Sequence, residues 1–197
     1  MKEIVSPDKL RKSRIPPGQK LSDRLPVLHY NRVPEFDLET WRFTITGLVE
    51  KERELNFKEF SSIPRIRLLA DIHWVTTWSI LDTVWEGVQT LEIKKLVKVK
   101  PEAKYVLVSC DDGYTTNLSL KDFFGEDVVF TFKYAGDEIA PEHGFPVRLV
   151  VPRLYFWKSA KWASGIEFMA EDKPGFWESG GYHNRGDPWK EERYAGD

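Results

Sequence analysis

The sequence predicts an α+β domain in which many short strands and a few short helices follow one another in mixed order. Three observations support this prediction. Apolar and polar residues alternate in several segments, helical spacing or helix-capping residues appear in others, and turns rich in Gly, Asp or Pro separate them. The chain has 197 residues, of which 41% are hydrophobic and 30% charged, enough for one well-cored domain over residues 1–197.

The two ends of the chain lack periodic patterns. Residues 1–27 are rich in Lys, Arg and Pro and show no hydrophobic period. We therefore expect an extended arm that lies on the domain. Residues 169–197 are polar and Gly-rich, and we expect them to wrap the surface with Trp177 and Trp189 as anchors.

The first periodic segments lie between the arm and residue 60. Residues 41–46 alternate between apolar and polar side chains, which predicts a half-buried strand that ends at Gly47. Asn56 and Glu59 have the spacing of a capping box. This spacing predicts a short helix that continues through Phe60.

Residues 67–78 are apolar enough for a buried strand, but they include Asp71 and His73. Because a buried carboxylate and a buried imidazole both need partners, the simplest interpretation is a satisfied core pair. Residues 89–99 place apolar side chains at helical spacing with lysines on the other face, which predicts a helix.

Three further elements are expected in the middle of the chain. Residues 105–108 read as a strand that leads into the tight turn at Asp112 and Gly113. Residues 119–124 are compatible with a single helical turn. Residues 128–134 alternate in the manner of a strand that turns back afterwards.

Arg148 stands alone in an otherwise apolar run, residues 147–151, which prolines delimit at both ends. The β-branched residues of this run predict a short strand. The following turn carries Lys158, Ser159 and Lys161, whose ammonium, hydroxyl and backbone N–H groups suit a phosphate or another oxyanion. Composition alone also allows a core strand that ends in a solvated turn.

Composition excludes several classes of function. The 29 Lys and Arg against 31 Asp and Glu give a formal charge of −2, so no nucleic-acid partner is expected. No segment approaches the roughly 20 apolar residues of a membrane span, and residues 1–20 lack a signal-like apolar run, so we expect a cytoplasmic location. The single cysteine, Cys110, excludes an internal disulfide and a multi-cysteine zinc or iron–sulfur site.

Aromatic and histidine residues leave alternatives open. Eight tryptophans predict core mass or the rim of a pocket, with a sugar-stacking surface as the alternative. The four histidines lack a short zinc-binding spacing. Ser159, His143 and Asp112 lack the nucleophile-elbow pattern that a hydrolytic triad would need.

The order His-Gly-Phe-Pro-Val-Arg-x-Val-Val-Pro, followed by Lys-Ser-x-Lys-Trp, resembles the sulfite oxidase family of molybdopterin enzymes, in particular its small haem-free prokaryotic members. The resemblance implies the mixed-sheet fold of that family, molybdenum on molybdopterin, and no haem. It also implies two-electron oxygen-atom transfer on a small oxyanion or sulfoxide-type substrate, with a separate electron-transfer partner. Four further segments share the family's spacing: residues 16–19, 27–36, 71–88 and 112–118.

The resemblance implies ten cofactor-binding positions. A pterin presents a flat array of donors and acceptors that suits amide, imidazole and backbone partners, and its phosphate suits Arg148 and Lys161. The ten residues are Asn31, Pro34, Glu35, His73, Cys110, His143, Arg148, Ser159, Ala160 and Lys161.

One departure from the family concerns the metal. Trp74 occupies the position of the cysteine that ligates molybdenum, and an indole has no lone pair available for a metal. Pterin and phosphate contacts could hold the cofactor alone, or the chain could be a non-catalytic molybdopterin-binding or carrier protein. An apo structural protein is a third alternative. Cys110 could replace the ligand if its sulfur came within about 2.3–2.5 Å of the metal.

A second departure concerns the substrate. Tyr30 stands where sulfite oxidases have an arginine that helps to attract the anionic substrate. Sulfite is therefore disfavoured, although His29, Arg32 or Lys158 could supply positive charge. The resemblance leaves the catalytic residues unassigned.

Overall fold

In the computed structural model, which describes residues 1–28 and 30–197, twelve strands form two mixed sheets that four short α-helices accompany. This architecture confirms the α+β prediction. His29, a candidate source of positive charge, lies outside the described residues.

The larger sheet has seven strands. Their order is β1-β5-β6-β9-β10, with β2 added beside β6 and β11 beside β9. The strands are β1 (Lys2–Val5), β2 (Lys20–Leu21), β5 (Arg65–His73), β6 (Trp78–Gln89), β9 (Val129–Tyr134), β10 (Asp137–Glu138) and β11 (Arg148–Val150). Strands β5 and β6 form an antiparallel pair joined by the turn at residues 74–77.

The smaller sheet has five strands in the order β4-β3-β12-β7-β8. They are β3 (Arg42–Gly47), β4 (Arg53–Asn56), β7 (Tyr105–Cys110), β8 (Thr115–Ser119) and β12 (Ala163–Met169). The main core joins the two sheets, and the rings of Phe43 and Phe130 meet there at a centroid distance of 5.0 Å. This core fixes the short segment between β11 and β12. The segment contains the turn with Lys158, Ser159 and Lys161, which we call the basic turn.

Helix α1 (Phe57–Ser62) begins with the predicted capping box. Asn56 Oδ1 accepts from Glu59 N at 2.9 Å, and Glu59 Oε2 accepts from Asn56 N at 2.9 Å. These reciprocal bonds satisfy two of the N–H groups that a helix start leaves free.

Helix α2 (Thr90–Leu96) is shorter than the predicted helix over residues 89–99. Val97 is already extended, and Val99 forms an isolated bridge with Val49, so sheet-like pairing replaces the last helical turn. Helices α3 (Leu120–Phe123) and α4 (Phe176–Ser179) are single turns, the first of them within the expected segment.

The amino-terminal arm contributes strands to the larger sheet. Strand β1 pairs in parallel with β5 and β2 with β6, where only an extended arm was predicted. Arg14 anchors the arm, because its Nε and Nη2 donate to the two carboxylate oxygens of Asp71 at 2.7 and 2.6 Å. Asp71 and His73 are both buried and both have hydrogen-bond partners, as expected, but they bind Arg14 and Ser79 and not each other.

The carboxy-terminal residues pack back onto the domain. The ring of Trp189 lies 4.2 Å from the Arg11 guanidinium and 6.0 Å from the His73 ring. Trp177 packs against Tyr30 and Tyr182. Over residues 1–28 and 30–197, no helix combines the length and the apolar character that crossing a bilayer requires.

Candidate functional site

A cavity of about 310 Å³ opens between segments that are far apart in the sequence. Its walls are the turn at residues 74–77, the segment at residues 156–162, Trp177 of α4 and the exposed side chain of Tyr30. This volume lies at the lower end of the range for cofactor pockets.

Arg148 lies at the buried base of the cavity, 1% exposed. Its Nη1 donates to the carbonyl of His143 and its Nη2 to the carbonyl of Ser159, each at 2.8 Å. Its guanidinium also stands 4.3 Å from the Phe156 ring centroid. Burial lowers the pKa of Arg148 to about 9, so the group stays charged at neutral pH.

Lys161 places a second cationic group on the same wall. Its Nζ donates to the carbonyl of Glu142 at 2.6 Å. Burial first, and then the neighbouring Arg148, lower the pKa of Lys161 to about 7. Gly144 permits this close packing, since its φ is +117° and a Cβ there would lie 2.8 Å from Arg148 Cβ. We call Gly144, Arg148 and Lys161 the cationic wall.

Aromatic rings form much of the remaining lining. Phe156 packs against Trp74 with ring centroids 4.7 Å apart, and Trp157, Trp162 and Trp177 also contribute to the lining. The alternative of a sugar-stacking surface is not supported, because these rings enclose a cavity that also carries the buried Arg148 and the half-buried Lys161. A flat, anionic heterocycle suits such a lining.

Trp74 belongs to the turn at residues 74–77, which we call the indole turn. Trp74 N donates to the carbonyl of Trp78 at 2.7 Å, and Thr77, in the left-handed region with φ of 72°, donates to the carbonyl of Trp74 at 3.1 Å. The Trp74 side chain is 7% exposed and lines the cavity. The fold therefore brings Trp74 together with Arg148 and Lys161, as the resemblance implied.

Ser159 and Ala160 also line the cavity. The Ser159 hydroxyl accepts from Val151 N at 2.9 Å, and its carbonyl accepts from Arg148. Through these two hydrogen bonds, Ser159 connects the basic turn to β11 and the residue that follows it. Its backbone thus orients the Arg148 guanidinium.

Lys158 does not supply charge to the cavity, contrary to the sequence-based interpretation. Its Nζ forms an ion pair with Glu178 at 2.6 Å and donates to the carbonyl of Asn117 at 2.7 Å, while both charged side chains are 1% exposed. Burial lowers the pKa of Lys158, and Glu178 opposes that shift. The ion pair ties α4 to the basic turn.

His143 lies next to the cationic wall. Its Nδ1 is buried and has no hydrogen-bond partner among residues 1–28 and 30–197. Burial, followed by Arg148 and Lys161, lowers the pKa of His143. His143, a predicted cofactor contact, is itself absent from the cavity lining.

His73 does not line the cavity, although the resemblance implied a cofactor contact. Its Nδ1 bonds the Ser79 hydroxyl at 2.8 Å, and its ring faces Trp189. Burial lowers the pKa of His73 to about 4, so the imidazole is neutral at pH 7. His73 thus packs next to the indole turn on the side away from the cavity lining.

Cys110 is buried in the main core, at the end of β7, and is absent from the cavity lining. Burial, together with Asp112 and Asp111, raises the pKa of the Cys110 thiol well above its ordinary value. A protonated core thiol is a poor metal ligand. The structure therefore gives no support to Cys110 as a replacement ligand.

The remaining predicted contacts lie towards the surface. Asn31 is exposed and donates to the carbonyl of Asp112 at 3.2 Å. Pro34 is half-buried, Glu35 is exposed, and neither of them lines the cavity. Arg32 is likewise exposed and outside the lining.

Sequence reasoning missed residues that hold the cavity together from a distance. Asn117 and Glu178 bind Lys158, and Glu178 also accepts from Trp157 Nε1 at 2.9 Å. Gln19 donates to the carbonyl of Trp74 at 3.1 Å. The partners are 20 to 55 positions apart along the chain, so no local pattern reveals these bonds.

The fold and the cavity together are those of a protein with a pocket suited to a flat, anionic ligand. Comparison with known proteins makes that class specific. Residues 30–177 match the family model described as the oxidoreductase molybdopterin binding domain. The chain belongs to this family, and the predicted resemblance to sulfite oxidase-like molybdopterin proteins is confirmed.

Curated relatives differ in how much of their length the chain spans. Identity is 46% over 185 residues to the uncharacterized oxidoreductase YuiH of Bacillus subtilis, with 93% of each chain covered. It is 28% to the protein-methionine-sulfoxide reductase catalytic subunit MsrP of Campylobacter jejuni, covering 73% of this chain and 54% of the relative. Identity to sulfite oxidase of Arabidopsis thaliana is 25%, and the match covers 75% of this chain and 47% of that protein. The chain thus spans about half of the last two proteins.

A solved structure supports the fold. The sulfane dehydrogenase SoxCD from Paracoccus pantotrophus matches with a TM-score of 0.66 and 23% identity, covering 71% of this chain and 40% of that chain. At this identity the likeness concerns the fold alone. Family membership makes the chain an oxidoreductase-family protein, in agreement with the predicted enzyme class.

The residues present fit one part of molybdopterin and not another. The buried Nε of Arg148 and the Nδ1 of His143 have no partner within the described part of the chain, and of these two residues Arg148 lines the cavity. These groups suit the pterin and its phosphate. The metal side differs, because an indole stands where the resemblance implies the ligand, and Cys110 lies in the core.

Proposed function

We propose that the chain holds molybdenum on molybdopterin in this cavity and transfers an oxygen atom, with two electrons, to or from a small substrate. The observation that carries the proposal is the cationic wall, where Arg148 and Lys161 converge on a cavity lined by aromatic rings. When bound, the cofactor supplies the redox chemistry, and the protein supplies binding, orientation and access.

Each residue of the site has a separate task. Arg148, fixed by the carbonyls of His143 and Ser159, offers a constant positive charge to the phosphate. Lys161, with a pKa of about 7, can take up a proton when an anion arrives. Trp74 and Phe156 form an apolar surface that excludes water from the ring system.

The mouth of the cavity favours a sulfoxide-type substrate over sulfite. The Tyr30 ring lies 4.3 Å from the ring of Phe176 and 6.3 Å from that of Trp177, so aromatic surface stands where an arginine would attract an anion. An uncharged sulfoxide needs no such cation. The name of the 28% identical relative, a methionine-sulfoxide reductase subunit, is in line with this substrate class.

Trp74 favours a second candidate function, a non-catalytic molybdopterin-binding or carrier protein. A metal without a thiolate from the protein has lost one electron-donating ligand and one anchor. Under this alternative the cavity still retains the pterin, because the cationic wall is complete. The electron-transfer partner, the absence of haem and the cytoplasmic location stay predictions.

The test is cofactor content followed by turnover. The chain is expressed with molybdate in a host that makes molybdopterin, and pterin is measured as its fluorescent oxidation product. We expect about one pterin per chain in the native protein and at least a tenfold lower pterin content in Lys161→Met. The control is Lys51→Met, which changes an exposed lysine and should leave the pterin content unchanged. Absence of pterin from the native protein would contradict both candidate functions.

Turnover separates the two candidates. The loaded protein is assayed with a reduced dye and methionine sulfoxide, and with an oxidised dye and sulfite. Oxygen-atom transfer predicts sulfoxide reduction at least tenfold faster than sulfite oxidation. Pterin retention without turnover of either compound would support the carrier function instead.

A further inference from the structure

The indole turn is held from outside by both terminal segments. Gln19 Nε2 donates to the carbonyl of Trp74 at 3.1 Å, and Lys20 N donates to the carbonyl of Thr77 at 2.7 Å. From the other end of the chain, the guanidinium of Arg193 donates to the carbonyl of Val75. Gln19, Lys20 and Arg193 all lie outside residues 30–177, the part that matches the family model.

The Gln19 amide joins the two ends of the turn. While its Nε2 binds the carbonyl of Trp74, its Oε1 accepts from the Ser79 hydroxyl at 3.4 Å. Ser79 is bound in turn to the neutral imidazole of His73, directly before the turn. One side chain of the arm therefore fixes the turn to both of its flanking strands.

Arg193 is itself held in place. Its side chain is 15% exposed, and its guanidinium lies 5.0 Å from the Tyr155 ring centroid. The terminal segments also touch each other, since a Cβ at Gly18 would come within 3.0 Å of Glu191 and 3.4 Å of Arg193. The two segments thus form a continuous support beneath the turn.

We propose that Gln19 and Arg193 are positioning residues that fix the indole turn and so set the direction in which the side chain at position 74 enters the cavity. They act through the backbone of the turn. The role in cofactor geometry rests on the proposed function, whereas the mechanical role of the two residues does not. A turn whose Thr77 adopts a left-handed conformation depends on such external bonds more than a regular strand does.

Amide hydrogen exchange tests the mechanical role. Gln19→Met and Arg193→Met each remove a donor to the turn. We expect the amides of Trp74 and Thr77, which are bonded within the turn, to exchange at least tenfold faster in both variants. Arg193→Lys, which keeps a donor, should restore slow exchange. Unchanged exchange in Gln19→Met and Arg193→Met would overturn the proposal.

A matched control comes from the same residue type. Gln89 donates its Nε2 to the carbonyl of Glu126, a bond of the same kind at a site away from the turn. Gln89→Met should change the exchange rates of Trp74 and Thr77 less than twofold. Acceleration equal to that of Gln19→Met would mean general destabilisation and would overturn the positioning role.

A spectroscopic signature tests the direction of the side chain. In the Trp74→Cys background, thiolate-to-molybdenum absorption per metal should fall at least twofold when Gln19→Met is added, with pterin content unchanged. Full absorption in the double variant would overturn the role in cofactor geometry. Absence of the absorption from Trp74→Cys itself would count against the proposed function, whereas the exchange result would still decide the mechanical role.

Discussion

The cationic wall and the indole turn face the same cavity but differ in what their residues offer. On the wall, Arg148 and Lys161 present two cations on side chains that neighbouring carbonyls already orient. On the turn, Trp74 presents an apolar ring where the sequence resemblance implies a metal ligand. If the proposed function holds, residues that bind the organic part of a cofactor and residues that ligate its metal can change independently in one protein.

The two surfaces also differ in how they are stabilised. The cationic wall depends on buried or partly buried hydrogen bonds within residues 142–161. The indole turn depends on bonds from Gln19 and Arg193, near the two ends of the chain. Mutations should therefore affect the two surfaces independently, and the following predictions use that expectation.

The largest effect is expected on the cationic wall. Arg148→Met should lower the free energy of unfolding by about 3 kcal/mol, because the buried carbonyls of His143 and Ser159 lose their donor. Arg42→Met is the matched control, since Arg42 also donates to two carbonyls but from an exposed side chain. Arg42→Met should lower the free energy of unfolding, measured in urea, by less than about 1 kcal/mol. Equal costs would contradict the role of burial.

The second prediction concerns the support of the indole turn. Burial holds the pKa of His73 at about 4 in the fold, against about 6.5 in the unfolded chain. The unfolded state therefore binds more protons between these values, so this stabilisation is present above pH 6.5 and lost as the pH falls towards 4. Its size is on the order of 3 kcal/mol.

Comparison of the native chain with His73→Gln isolates this contribution from carboxylates that titrate in the same range. Urea unfolding at pH 7 and pH 4.5 should give a smaller loss of stability in the variant than in the native chain. An equal loss in both would show that His73 does not titrate as a buried group.

The third prediction returns to the cationic wall and is smaller. Because the pKa of Lys161 is about 7 in the free chain, a bound anion should raise it, and anion binding should weaken as the pH rises above 7. Sulfate, which does not titrate in this range, should bind on the order of tenfold more weakly at pH 8.5 than at pH 6.5. Lys161→Arg should remove most of the pH dependence of sulfate affinity, which is measured by calorimetry. If the pH dependence persisted in this variant, Lys161 would not be the group that titrates.

Local patterns predicted the elements whose determinants lie close together in the sequence. The capping box of Asn56 and Glu59 forms both of its bonds, and the apolar run around Arg148 is a strand. Arg148, Ser159, Ala160 and Lys161 meet at one cavity because a single short segment carries them. Their grouping could therefore be predicted.

Contacts between distant segments could not be predicted. Strands β1 and β2 join the large sheet through backbone pairing, which leaves no hydrophobic period in the arm. The turn that carries Lys158 and Lys161 indicated two available lysines, but Lys158 forms an ion pair with Glu178 of helix α4, which lies outside the turn. Likewise, nothing near Cys110 in the sequence shows that its thiol lies in the core.

X-ray absorption at the molybdenum edge tests the central claim, that this chain keeps the pterin wall without a protein ligand to the metal. Native protein and Trp74→Cys are compared after loading with the cofactor. We predict that the native metal has sulfur neighbours from the dithiolene alone and that Trp74→Cys gains one more sulfur at about 2.3–2.5 Å. A protein sulfur on the native metal that disappears in Cys110→Ser, or no added sulfur in Trp74→Cys, would contradict the claim.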